Sequence, residues 1–388
     1  MKLDDTFEKC MKCSLCSDWC PLAGVVTPYP GPKQAGPDEE RYRLKDPLFF
    51  DNALKYCLNC KRCEVACPSD VRIGDLVLKA RLKYEKTSPH VLRNLAMADT
   101  DFVGPVASAF APVANLAASV LMPHGGPRYS HETFEKWFRR EALPLQGSFA
   151  DKVAYFHGCY VNYNNPGQGR DFVRVMNALG YGVELLEGER CCGVALMSNG
   201  FESLARRGAL ANIAAMTPFV AAGRPVLTTS STCTLTMRDE YPEVLDIDNS
   251  SVRDSIVMAT KFIYEALEAG RALGFRAADR PLKVAYHTAC HMSRLGWAVY
   301  SIELLKLIPG LELTVPEQNC CGVAGTYGFK PENRKNSKAM GSRLFADIEA
   351  ADPDIVVTDC ETCRWQIELC TGRKVLNPIS LLAEHILA

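Results

Sequence analysis

A chain of 388 residues is long enough for two or three domains, each burying its own core. Its 44 basic and 45 acidic side chains nearly cancel, which excludes a molecule-wide field for nucleic acid or anionic lipid and leaves any such binding to a local patch. With 47% hydrophobic residues the chain is globular rather than disordered.

The start, Met1-Lys2-Leu3-Asp4-Asp5, has acidic residues and no apolar core, so it does not read as a secretory signal. Next come Cys10-x2-Cys13-x2-Cys16-x3-Cys20-Pro21 and, further on, Cys57-x2-Cys60-x2-Cys63-x3-Cys67-Pro68. Three cysteines two residues apart crowd a lone tetrahedral zinc but reach three corners of a cubane [4Fe–4S] cluster, and the fourth, before proline, ligates the neighbouring cluster. The doubled pattern therefore predicts crossed ligation of two cubanes: Cys10, Cys13, Cys16 and Cys67 for one, Cys57, Cys60, Cys63 and Cys20 for the other. Thiolates kept for clusters require a reducing compartment, so a cytoplasmic location is expected.

Between the two runs lies an insert rich in Pro and Gly over Pro28 to Pro37 and charged over Asp38 to Asp46. Asp51 to Leu58 and Ile73 to Tyr84 have helical spacing, which gives a mainly helical ferredoxin-like unit over 1–86. Lys61 and Arg62 are expected either to bias a cluster or meet an acidic donor protein, or to be solvated loop charges. Residues 87–150 read as a linker with short helices. Phe102 to Met122 is uncharged, but Pro105 and Pro112 prevent one continuous helix, and Val113 to Met122 would span about 15 Å against roughly 30 Å of hydrocarbon. Ser130 to Leu143 places Phe134, Trp137 and Phe138 on one helical face with Lys136, Arg139 and Arg140 on others. That helix suits a headgroup boundary, or it packs on the following lobes.

From Asp151 the sequence repeats itself. Cys159 recurs as Cys290, Cys191-Cys192-Gly193 as Cys320-Cys321-Gly322, and Cys233 as Cys360, at offsets of 131, 129 and 127 residues. Each copy, 151–275 and 276–388, reads strand, helix, strand, double-cysteine turn, helix, strand, which predicts βαβ units, parallel sheets and two pseudo-symmetric α/β lobes after a helical N-terminal part. The cysteines fall after strands, where open α/β sheets bind ligands. Adjacent sulfurs suit different irons of one cluster better than one ion, and the following glycine is expected to let the backbone approach the cluster. Gly322-x-x-Gly325-x-x-Gly328 is expected to wrap it as well. Cys370 lies outside both sets and reads as a plain buried thiol. There is no dinucleotide fingerprint after a strand, no P-loop, and no legible hydrolytic constellation.

The pattern of one cysteine, then Cys-Cys-Gly, then Cys-x-x-Cys resembles the CCG-domain family of heterodisulfide reductase B subunits and quinone-linked iron–sulfur subunits. The second repeat matches it fully, so the resemblance implies a non-cubane [4Fe–4S] cluster on Cys290, Cys320, Cys321, Cys360 and Cys363. The first repeat offers Cys159, Cys191, Cys192 and Cys233, with Thr236 where the last cysteine should stand, and a further cluster there. Pro30 to Asp38, Phe156-His157-Gly158-Cys159, Thr229 to Cys233 and Asp359 to Cys363 resemble the C subunits of anaerobic glycerol-3-phosphate dehydrogenases. That resemblance implies flavoprotein A and B subunits as partners, menaquinone or ubiquinone as acceptor, and peripheral attachment to the cytoplasmic face of the inner membrane. His157, His287 and His291 flank cluster cysteines and are candidates to bind or protonate the quinone, or to serve as donors to cluster sulfur or core histidines. A self-contained oxidoreductase acting on a disulfide or a small hydroxy acid is the alternative.

Overall fold

A computed structural model describes the chain except residues 1–5, 27, 47, 48, 50, 85–89, 122–125, 279 and 388. The first five residues, the expected unit boundary at residue 86, and Met122 with the turn residues Pro123 and Gly125 lie outside the described residues.

Eight short strands carry the two lobes: β1 (Asp151–Tyr155), β2 (Tyr181–Leu185), β3 (Val226–Thr228) and β4 (Ile256–Met258), then β5 (Leu282–Tyr286), β6 (Leu311–Thr314), β7 (Ile355–Val357) and β8 (Val375–Leu376). Both sheets are parallel and share one order, β2-β1-β3-β4 and β6-β5-β7-β8. Helices cover both faces, which is why the central strands are apolar throughout: Val153, Ala154 and Tyr155, and Val284, Ala285 and Tyr286, are all buried. One apolar cluster runs through both lobes, joining Tyr155 and Leu227 to Tyr286 and Val357. The turn after β3 also touches those after β7 and β8: Ser231 N donates to Asp359 O at 3.0 Å, and Asn377 Nδ2 donates to Thr229 O at 3.0 Å.

The N-terminal part is helical, its longest piece being Ile73–Tyr84; the expected helix over Asp51 to Leu58 is a single 3₁₀ turn, Asn52–Tyr56, with Asp51 accepting from Ala53 N. Next come helices Thr100–Ala109 and Ala111–Leu121, bent by 110° at Phe110. Pro105 sits inside the first of these and does not break it. Among the described residues no single helix is long and apolar enough to cross a membrane, though this bent pair passes together on length and composition.

The aromatic face of residues 130–143 turns inward. Phe134 and Phe138 are 0% and 2% exposed, and the Phe134 ring meets Trp137, Tyr155 and His157 at centroid distances of 5.5 to 5.8 Å. The expected headgroup-facing helix is therefore a core element of the first lobe, because aromatic residues at this spacing satisfy a protein groove as well as they satisfy lipid. The outward side is mainly charged, with Arg139 paired with Glu135 and Arg140 with Glu132 and Glu141.

Candidate functional site

Four groups of thiols gather where the spacing placed them. One N-terminal cavity is lined by Cys10, Cys13, Cys16 and Cys67, the other by Cys20, Cys57, Cys60 and Cys63. The backbone winds around each in the same way: Lys12 and Ser14 in one loop, and Asn59 and Lys61 in the other, have φ between 52° and 65°. Left-handed residues alternating with ordinary ones turn successive N–H groups toward one centre, the cradle an anionic cluster needs. Burial pushes the Cys16, Cys57 and Cys63 thiols up, so thiolates there require compensating metal charge. Four thiols and an N–H cradle per cavity fit a cubane.

In the second repeat Cys321 and Cys363 lie with sulfurs 3.2 Å apart. The Cys320 thiol is held well below its usual range, first by the Cys290 thiol and then by that of Cys321, and Cys360 is lowered to about 5 by the thiol of Cys363. His287 is 2% exposed, its Nε2 has no hydrogen-bond partner, and burial lowers it to about 4. An orphan ring nitrogen beside Cys320 is the donor that a cluster sulfur would satisfy. The first repeat brings Cys159 within 3.7 Å of Cys191, with Cys192 and Cys233 in mutual contact. Thr236, however, gives its hydroxyl to Glu240 Oε2 at 2.8 Å.

Other expectations change. Gly322 (φ 84°) does face left-handed space, but a Cβ there would overlap the carbonyl oxygen of Ser337, and one at Gly328 would crowd Ser337 and Val323. These glycines let the turn pack on helix Arg334–Ala351, while Gly322 N donates to Cys320 Sγ at 3.3 Å. Neither nitrogen of His291 is free for a quinone, Nδ1 lying 3.2 Å from Thr232 Oγ1 and Nε2 2.9 Å from Asn59 O. His157 is enclosed behind Cys159, with Nδ1 3.2 Å from Glu189 Oε1. Lys61 is not a solvated loop charge and cannot meet a donor protein: it is 2% exposed and paired with Asp75 and Glu240. Arg62 donates to the carbonyls of Trp19 and Gln318. Cys370 is half-buried.

Residues 6–71 match the 4Fe-4S dicluster domain, and residues 153–238 and 284–368 each match the cysteine-rich CCG domain. The chain is 51% identical to the C subunit of anaerobic glycerol-3-phosphate dehydrogenase of Escherichia coli (strain K12), over 99% of both chains. It belongs to the family of anaerobic glycerol-3-phosphate dehydrogenase C subunits. More distant similarity links it to the B subunit of fumarate reductase (CoM/CoB) of Methanothermobacter marburgensis, 24% identical over 96% of this chain and 70% of that one. It also extends to the glycolate oxidase iron-sulfur subunit of E. coli, 25% identical over 100% and 96%. The C-subunit family is thus an iron–sulfur family in both of its parts, dicluster and CCG.

Three features escaped the sequence. Asp101 Oδ1 accepts from Cys191 N at 2.9 Å, which ties helix Thr100–Ala109 to the first-repeat cysteines. Gly104 lies against the ring of Tyr163, so this helix sits directly on the element that carries Cys159. Glu189 accepts from Gly158 N at 2.7 Å. None of these carries a local signal, because each partner is distant in the chain.

Proposed function

We propose that the chain receives electrons from flavoprotein A and B subunits at its N-terminal cysteines and delivers them through the second repeat and then the first to a quinone in the membrane. What carries this reading is the continuity of the thiol groups. Cys60 of the second N-terminal set is in hydrogen-bonding contact with Cys290 of the second repeat. Thr232, next to Cys233 of the first repeat, has its hydroxyl 3.8 Å from Cys360 Sγ. The sets Cys10, Cys13, Cys16, Cys67 and Cys20, Cys57, Cys60, Cys63 would each hold a cubane. Cys290, Cys320, Cys321, Cys360 and Cys363 would hold a non-cubane cluster, and Cys159, Cys191, Cys192 and Cys233 a further one. Bound there, the clusters supply one-electron steps; reducing a quinone takes two electrons and two protons.

Helices Thr100–Ala109 and Ala111–Leu121 favour the membrane end of this path. The first helix is fixed beside Cys159 and Cys191 through Asp101 and Gly104, while Phe102, Phe110, Val113 and Leu116 are 65 to 72% exposed. No charge occurs from Phe102 to Met122, so the surface can enter the interfacial layer at little desolvation cost. Docked this way, the first repeat would meet a lipid-dissolved acceptor, and the protein would sit peripherally on the cytoplasmic face of the inner membrane.

Liposome flotation tests the docking. Wild type should float, and a Phe102→Glu, Phe110→Glu variant should stay at the bottom with unchanged iron content. Equal flotation of both would remove the hairpin as the anchor. Turnover of a heterodisulfide, lactate or glycolate by the isolated chain would favour the self-contained oxidoreductase instead.

A further inference from the structure

Thr236 stands three residues after Cys233, as Cys363 stands three after Cys360, and it is fully buried. The turn that it begins, Thr236–Glu240, is π-helical, whereas the second repeat continues as the regular α-helix Glu361–Thr371. Such turns are rare and recur at functional positions. Here the turn aims Glu240, 0% exposed, out of the first repeat and into the loop of the second N-terminal cysteine set. Glu240 Oε2 accepts from Thr236 Oγ1 at 2.8 Å; Oε1 accepts from Asn59 Nδ2 at 2.7 Å and lies 3.2 Å from Lys61 Nζ.

Asn59 and Lys61 are the residues on either side of Cys60, and both are left-handed, with φ of 52° and 60°. Lys61 is closed off on its other sides by Asp75 and by Glu64, whose second oxygen accepts from Arg294 Nε at 3.0 Å. Gly74 leaves room for this packing: a Cβ there would fall 2.9 Å from Lys61 Cδ. An ammonium so deeply buried is costly unless the fold aims its counter-charges at it. Those counter-charges come from two separate parts of the chain. Charge within the N-terminal part alone could have neutralised Lys61, so the reach of Glu240 across the junction calls for another explanation.

We propose that Thr236, Glu240 and Lys61 form a positioning chain that sets the reduction potential of a cluster on Cys20, Cys57, Cys60 and Cys63 and keeps that loop seated against Cys290. The residue in the place of the first repeat's last cysteine has exchanged metal ligation for electrostatic control of the neighbouring site. The Lys61 ammonium favours the reduced, more negative state of a group held beside it, and the Glu240 carboxylate opposes it. Thr236 and Asn59 hold that carboxylate in place and compensate part of its charge by hydrogen bonding. This inference needs only an occupied N-terminal cavity and is independent of quinone and membrane.

EPR-monitored redox titration of the full-length, cluster-loaded protein tests it. Removing the carboxylate charge in Glu240→Gln should shift the midpoint of the Cys20/Cys57/Cys60/Cys63 signal upward. Thr236→Val, which keeps the shape and loses the hydroxyl, should shift it downward, and Thr236→Ser should match wild type. Should Thr236→Val fail to load clusters, Glu240→Gln decides alone. The proposal is overturned if the midpoint stays at the wild-type value in Glu240→Gln, or if Thr236→Val alters only the signal that Cys191→Ala abolishes.

Discussion

At the scale of single residues, equivalent positions in the two lobes have different reasons for their identity. Gly193 and Gly322 follow the two cysteine pairs with φ of 91° and 84°, a region that costs an L-residue about 1–2 kcal/mol. They part company in what surrounds them. A Cβ at Gly193 would meet nothing nearer than Ala205 at 3.6 Å, ordinary contact, whereas at Gly322 it would overlap the Ser337 carbonyl oxygen. Gly193→Ala should therefore lose about 1–2 kcal/mol, and Gly322→Ala a further 1–3 kcal/mol or so as helix Arg334–Ala351 is forced away. Denaturant unfolding of the two variants checks this, and equal losses would mean that the backbone angle alone fixes both glycines.

At the scale of elements, the sequence states which face of a helix is apolar but not what covers it. Phe134, Trp137 and Phe138 formed a clean apolar stripe, and the stripe was real; its cover turned out to be β1 and helix Pro166–Ala178, not lipid. Gly169 shows how closely that helix approaches, since a Cβ there would strike both the Phe134 ring and Val161. The hairpin Thr100–Ala109 and Ala111–Leu121 was legible as uncharged and broken, but its seat on Cys191 through Asp101 was not, because a hydrogen bond between residues 90 positions apart leaves no trace in local spacing. The two aromatics Phe134 and Phe110 should consequently behave in opposite ways. Phe134→Ala empties a fully buried site and should cost about 3–5 kcal/mol, whereas Phe110→Ala, at a residue 65% exposed, should cost less than about 0.5 kcal/mol. Thermal melts of the two variants decide whether the assignment of faces is right.

At the scale of the whole molecule, the repeat made the two-lobed parallel fold readable, since the cysteines marked the ends of strands in both copies. What it could not convey was how the N-terminal part meets the lobes. That junction is built from Asn59, Lys61, Glu240, His291 and Arg294, residues whose partners across it are remote in the chain. Lys61 and Arg62 read as loop charges or donor-facing ones because Glu240, which pairs with Lys61, and the Gln318 carbonyl, which accepts from Arg62, belong to the two lobes and are remote in the chain.

The same long-range logic applies to Cys20. Although Cys20 follows Cys16 closely in the chain, it lines the cavity of Cys57, Cys60 and Cys63, while Cys67 lines that of Cys10, Cys13 and Cys16. Short helices Leu15–Asp18 and Arg62–Val65 cause the exchange, each carrying its last cysteine away from its own loop and toward the other. Burial and the nearby Cys60 push the Cys20 thiol up, so without iron it is an uncharged thiol rather than a free thiolate. Cys20→Ala should then remove the fourth ligand from the Cys57 set only. Low-temperature EPR with iron and sulfide analysis should find one N-terminal cluster signal lost or converted and the signal that depends on Cys13 preserved. Loss of the Cys13-dependent signal instead would mean that each run ligates its own cluster and that the cavities are misassigned. Because Cys60 abuts Cys290, the crossed arrangement also predicts that Cys20→Ala slows reduction of the second repeat, whereas uncrossed ligation would leave that step intact.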